Sequence, residues 1–129
     1  MIKPIRGPSV IDSPLPFSPA IRAGDFVFVS GMASADANGH IVPDTFANEV
    51  HRTFKNVRDV LTEAGLGFSD VVQVRAYLSS RHDWDEHNLI YRQYFSEPYP
   101  ARTTLIGCLG ELVKYEIDLV AYANPGLPR

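Results

Sequence analysis

The chain has 129 residues, 45% of them hydrophobic and 21% charged, with 15 acidic against 12 basic side chains and a formal net charge of −3. That balance describes a single globular domain over residues 1–129, and excludes a disordered chain or a general nucleic-acid binder, which needs a basic face. One cysteine, Cys108, excludes an internal disulfide, and no apolar run approaches the roughly 20 residues of a membrane span. Met1-Ile2-Lys3-Pro4 begins no signal-peptide pattern, because no apolar stretch follows it, so a cytoplasmic location is expected.

Residues 1–19 carry five of the ten prolines, which permits a short edge strand over Ile2 to Arg6 and then an extended loop. Phe17 is the large aromatic of that loop, either a plug on the core or the wall of a pocket. Chemistry alone favours the plug. Ala23-Gly24-Asp25 signals a turn into a strand over Phe26 to Ser30. Both faces of that strand are apolar, so it is expected to be central and covered on both sides. Ser30-Gly31 ends it, with the Ser30 hydroxyl either capping backbone groups or reaching a ligand.

Asp44 or Thr45 can cap a helix whose apolar residues Phe46, Val50, Phe54, Val57, Leu61 and Ala64 form one stripe. Gly65 and Gly67 stop it. Val71 to Leu78 is a strand with two unlike faces: Val72, Val74, Ala76 and Leu78 on one, and Gln73, Arg75 and Tyr77 on the other. The second face suits solvent or a subunit interface. His82, Asp83, Asp85, Glu86 and His87 invite a metal reading, but His82/Glu86 and Asp83/His87 occupy different helix faces and complete no tetrahedral set, so no metal is expected. The helix continues through Trp84, Asn88, Tyr91 and Phe95, with Asn88 as a polar exception that needs a hydrogen bond.

Pro98 and Pro100 end that helix and leave an extended segment, Pro100-Ala101-Arg102-Thr103-Thr104-Leu105-Ile106-Gly107. Arg102 has no carboxylate within three residues, and a partly desolvated cation needs a partner. Either a protein carboxylate or a ligand carboxylate held by the guanidinium fork would serve. Strands are expected over Thr103–Leu109 and Val113–Tyr122, joined by a turn at Gly110-Glu111. In the second, Val113, Tyr115, Ile117, Leu119 and Ala121 face one way, and Lys114, Glu116, Asp118, Val120 and Tyr122 the other. Glu116 is either a cross-strand ion-pair member or a catalytic carboxylate. The tail from Asn124 to Arg129 holds two prolines and is expected to fray. Two amphipathic helices covering one face of a sheet make an α+β two-layer sandwich.

Pro100-Ala101-Arg102-Thr103-Thr104-Leu105, with Glu116 about one hairpin later, resembles the signature of the Rid family, the YjgF-type reactive-intermediate deaminases. Leu15-Pro16-Phe17-Ser18-Pro19-Ala20-Ile21 is similar to that family's N-terminal Gly-Pro-Tyr-Ser-x-Ala motif, and Arg22 to Gly31 is similar to its second strand. The resemblance implies a chorismate-mutase-like fold with a mixed six-stranded sheet, and a homotrimer with three clefts between subunits. It also implies hydrolysis of 2-imino or enamine acids to 2-oxo acids and ammonia, without metal or cofactor.

On that resemblance Arg102 clamps the substrate carboxylate, and Glu116 orients water and shuttles a proton. Ser30, Gly31, Asn88, Thr104 and Leu105 hold substrate, while Phe17 and Tyr91 wall the pocket. Arg102 beside Glu116 would lower the carboxyl pKa against the raising effect of burial. Phe17 replaces the family's common tyrosine, and Thr104 its common cysteine. The turn near Gly110 is one residue shorter than in close deaminases. These departures also fit a deaminase dedicated to one pathway intermediate (2-aminomuconate-type), or a non-catalytic trimer binding small carboxylates. A nucleic-acid or membrane partner is not expected.

Overall fold

The computed structural model describes residues 1–124; the expected frayed tail lies, apart from Asn124, outside them. Six strands and two helices follow one another as β1 (Ile2–Pro4), β2 (Ala20–Ala23), β3 (Phe26–Ala33), α1 (Phe46–Glu63), β4 (Val71–Leu78), α2 (Trp84–Tyr91), β5 (Ala101–Ile106) and β6 (Tyr115–Tyr122). The sheet order is β1-β2-β3-β6-β4-β5, antiparallel throughout except for the parallel edge pair β4–β5. Spacing alone separates five strands; the sixth, β2, is a four-residue strand that Gly24, at φ +60°, turns straight into β3.

The apolar stripe of α1 lands in the core as its period requires: Phe46, Val50, Phe54, Val57, Val60 and Leu61 are buried. Thr45 caps the helix by accepting the Asn48 N–H at 3.2 Å. In β6, Tyr115, Ile117, Leu119 and Ala121 are buried against the helices, as strict alternation predicts. Both helices cover this one face.

Among the described residues no helix covers the opposite face of the sheet, and this corrects the expectation of a doubly covered β3. Val27 and Val29 are buried, but Phe26 and Phe28 are 42% and 47% exposed. With both helices spent on one layer, the loop residue Phe17 is what meets Phe28 on the other.

Two irregularities break the strict alternation. In β3 the pairing with β6 jumps from Val29↔Leu119 to Met32↔Ile117, so Ser30 and Gly31 together oppose Asp118. This bulge puts both Val29 and Met32 on the buried side. In β4 a second shift places Val71 in the core and leaves Val72 exposed, the reverse of the simple pattern.

Helix α2 stops at Tyr91, and Phe95 reaches the core from the turn that follows. Strand β5 ends at Ile106 because Gly107 adopts φ +83°. Among the described residues no helix is long and apolar enough to cross a membrane.

Candidate active site

Arg102 sits on β5 in register with Val74, a core-facing residue of β4, so it projects on the helix-covered side of the sheet edge. Its Nη2 donates to Oδ1 of Asn88 on α2 at 2.8 Å. The partner of the Asn88 amide is thus this side chain and not backbone. The guanidinium carbon lies 4.7 Å from the centre of the Tyr91 ring and 5.8 Å from that of Trp84, which is cation–π range. Among the described residues no carboxylate comes within ion-pair distance of it. A cavity of about 320 Å³ opens beside it, lined by Asn88, Tyr91, Arg92, Tyr99, Pro100 and Arg102.

The floor of this half is unusual chemistry for a core. His87 is fully buried, and its Nε2 shares a hydrogen bond with the Tyr115 hydroxyl at 3.0 Å. Burial, and then the nearby Arg102 charge, push His87 down to about 4. Burial likewise pushes the Tyr91 hydroxyl up to about 12, and neither it nor His87 Nδ1 has a hydrogen-bond partner among the described residues. His87 therefore serves as a neutral core residue, with its ring turned away from Asp83. Among the described residues no group of three or more His, Cys, Asp or Glu is gathered as metal ligands would be.

Glu116 stands on the other face. It pairs across with Ala33 on one side and Tyr77 on the other, and its neighbours Tyr115 and Ile117 take the core positions. A Cβ placed on Gly31 would lie 2.7 Å from Glu116 Oε2, so the carboxylate rests on the bare backbone of the β3 bulge. Among the described residues no side chain supplies it with a hydrogen bond or an ion pair. Burial, and then the Asp118 charge, raise its pKa above the usual glutamate range. The cross-strand ion-pair role falls to Asp118, which accepts from Arg75 Nε at 2.8 Å and from the Tyr77 hydroxyl at 2.7 Å. Lys114 precedes the strand and turns its ammonium to Glu49 on α1, 3.2 Å away, and not to Glu116.

Phe17, Phe28, Ser30, Gly31, Arg75 and Asp118 line a second cavity of about 420 Å³ on this open face. Phe17 is 52% exposed, so it is a wall and not the core plug that chemistry alone favours. Ser30 uses its hydroxyl proton on the Ser18 carbonyl at 2.6 Å, which leaves its oxygen free to accept. Leu105 also faces this side, two strands from Glu116 through Tyr77, and is 44% exposed. Thr104 lies on the Arg102 side.

The expected residues thus fall into two groups on opposite faces of one sheet: Arg102, Asn88, Tyr91 and Thr104, and then Glu116, Phe17, Ser30, Gly31 and Leu105. Within one chain Arg102 does not lower the Glu116 pKa, contrary to expectation, because the sheet separates them. Trp84, Tyr99 and Arg92 join the first group and Tyr77 the second without having been singled out. The aromatic density of residues 84–99 was the available signal for Trp84 and Tyr99.

Residues 9–123 match the family described as Endoribonuclease L-PSP. A RutC family protein of Pyrococcus abyssi is 36% identical over 109 residues, which span 83% of this chain and 86% of that protein. The human protein named 2-iminobutanoate/2-iminopropanoate deaminase is 31% identical over 112 residues, spanning 85% of this chain and 82% of that one. The crystal structure of E. coli TdcF with bound serine superposes with a TM-score of 0.81 at 26% identity, covering 93% of this chain and 98% of that chain. The likeness therefore takes in the whole chorismate-mutase-like two-layer fold. On the motifs, the matched span and the architecture together, this chain belongs to the Endoribonuclease L-PSP family, the Rid or YjgF family.

Proposed function

We propose that the protein is a hydrolytic deaminase of 2-imino and enamine acids, working in a homotrimer whose clefts join the Arg102 group of one copy to the Glu116 group of the next. The observation that carries this reading is an arginine oriented by an amide and two aromatic rings, with no carboxylate among the described residues to neutralise it. Such a fork is arranged for a ligand carboxylate. The human relative's name specifies 2-iminobutanoate and 2-iminopropanoate, and the TdcF structure holds serine, each a small carboxylate.

In this mechanism Arg102 anchors the substrate carboxylate and so presents the C=N carbon to a water held by Glu116. Glu116 takes a proton as the water oxygen bonds to carbon and passes it to the imine nitrogen, giving a carbinolamine; the carbinol proton then moves through Glu116 to the same nitrogen as the C=O forms, the C–N bond breaks and ammonia leaves. No electron changes hands, so no redox partner is needed. A carboxyl with a raised pKa suits both halves of that transfer near neutral pH. The exposed Phe26, Phe28 and Leu105 supply an apolar face for neighbouring copies.

The test is an assay in which an amino-acid oxidase generates 2-imino acids and semicarbazide competes for them. Wild type diverts the imine to the 2-oxo acid; Arg102→Ala and Glu116→Ala do not. Co-expressed, the two inactive variants regain activity, because a cleft between them contains one intact Arg102 and one intact Glu116. Absence of complementation would place both residues' work in one chain, and absence of diversion by the wild type would overturn the deaminase.

A further inference from the structure

We propose that the Arg102 cavity is selective for 2-imino dicarboxylates, the four- and five-carbon imines of aspartate and glutamate, with Arg92 taking the second carboxylate. The inference rests on the deaminase reading and names its substrate class.

The cavity lining contains two guanidinium groups, Arg92 and Arg102, and no carboxylate. Cations elsewhere in the molecule are met in several ways: Arg58 lies over the Phe68 and Tyr94 rings, and Arg22 donates to the Gly24 carbonyl. Arg6, Arg52, Lys55, Arg75 and Lys114 each meet a carboxylate. Arg92 and Arg102 do not, among the described residues. One of the pair, Arg102, is tied to Asn88 and stacked on Tyr91. The other, Arg92, caps the C-terminus of α2 and is solvent-exposed. A cation at a helix C-terminus complements the macrodipole on any helix, but that does not balance two like charges lining one small cavity.

A monocarboxylate on Arg102 leaves one positive charge uncompensated in the cavity. A dicarboxylate leaves none, and in a concave site the difference is larger than on a flat surface. Of the remaining walls, Tyr91, Tyr99 and Pro100 supply apolar contact for a two- or three-carbon spacer, and Asn88 adds an amide donor beside Arg102. About 320 Å³ is within the range of small-molecule sites. The reaction is unchanged: water adds to the imine carbon, ammonia leaves, and the distal carboxylate takes no part in bond making.

The experiment compares iminosuccinate and 2-iminoglutarate, generated by aspartate and glutamate oxidases, with 2-iminopropanoate generated from alanine, under semicarbazide competition. The wild type is expected to show kcat/KM at least about tenfold higher for the dicarboxylates, one good charge-assisted contact's worth. R92A lowers the dicarboxylate-to-monocarboxylate ratio by about tenfold, through KM, and R92K restores part of it. A merely structural defect would lower both substrates together. Calorimetry of the wild type and R92A with 2-oxoglutarate against 2-oxobutanoate reads the same selectivity without turnover. A wild-type ratio near one, or a ratio that R92A does not move, overturns the proposal. If no imine is hydrolysed, the deaminase reading falls, and the calorimetric ratio alone decides whether the cavity selects two carboxylates.

Discussion

The first turn of α1 and the open face of the sheet each hold a glutamate away from bulk water, and they treat it in opposite ways. Glu49 is 1% exposed and fully partnered: it accepts from the Asp44 and Lys114 backbone N–H groups at 3.1 and 3.0 Å and meets the Lys114 ammonium. Glu116 is half-buried, rests on a glycine and has no donor from any side chain. The first arrangement makes a carboxylate into a staple between helix and strand. The second leaves its lone pairs without a side-chain partner among the described residues. Arg75 and Arg102 repeat the contrast among the cations, one paired with Asp118 and one held by an amide and two rings.

The comparison breaks most sharply on turnover. Glu116→Gln should lower kcat by about 100-fold or more in the imine assay, the usual cost of losing a general acid–base, while the melting temperature stays within a few degrees. Its sign with pH is fixed by the raised pKa. A carboxyl that binds its proton more tightly when folded contributes stability below the unfolded glutamate pKa, and loses it as pH rises through the folded one. Glu116→Gln should therefore gain on the wild type between acid and neutral pH. Rate and stability falling together would make Glu116 structural.

Glu49→Ala should do the reverse. It leaves Lys114 and two backbone donors facing a cavity, so a loss of about 3 kcal/mol in denaturant unfolding is expected. A loss below about 1 kcal/mol would show that the network relaxes or admits water.

His87 sharpens the comparison from beneath Arg102. Because burial holds it down to about 4, it contributes stability that is present above pH 6.5 and is lost as pH falls toward 4. Over that window the loss amounts to at most about 3 kcal/mol, and it should vanish in His87→Gln when unfolding is followed against pH. A wild-type curve flat from pH 7 to 4.5 would contradict the buried, neutral histidine. The smallest effect belongs to the site's floor. Gly31→Ala pushes a methyl group toward Glu116 Oε2 and should lower kcat about tenfold with little change in stability. An unaltered rate would mean that the carboxylate simply swings aside.

The legible parts of the fold are those where one side of an element does one job. The α1 stripe and the alternation of β6 could be counted residue by residue, because each buries one face. Arg102 and Glu116 stood out in the sequence for their chemistry. Which face of the sheet each occupies did not, because alternation gives the phase within a strand and not between β5 and β6. Phe26 and Phe28 looked like core for the same reason: an exposed apolar side chain on a strand has the composition of a buried one. The bulges had no local signature beyond a glycine. Glu49 carries no local signal of its role, since a carboxylate is ordinary in a helix's first turn and its partner Lys114 lies 65 residues away.

The bulge in β3 has one residue more than the ladder requires. Without Gly31, Val29, Ser30 and the following methionine would oppose Leu119, Asp118 and Ile117 one for one, and in, out, in would run unbroken. The sheet would be more regular for the deletion. It would also close the bare patch of backbone on which the Glu116 carboxylate lies. As a matter of counting, then, the surplus residue adds nothing to the ladder and makes the seat of one carboxylate.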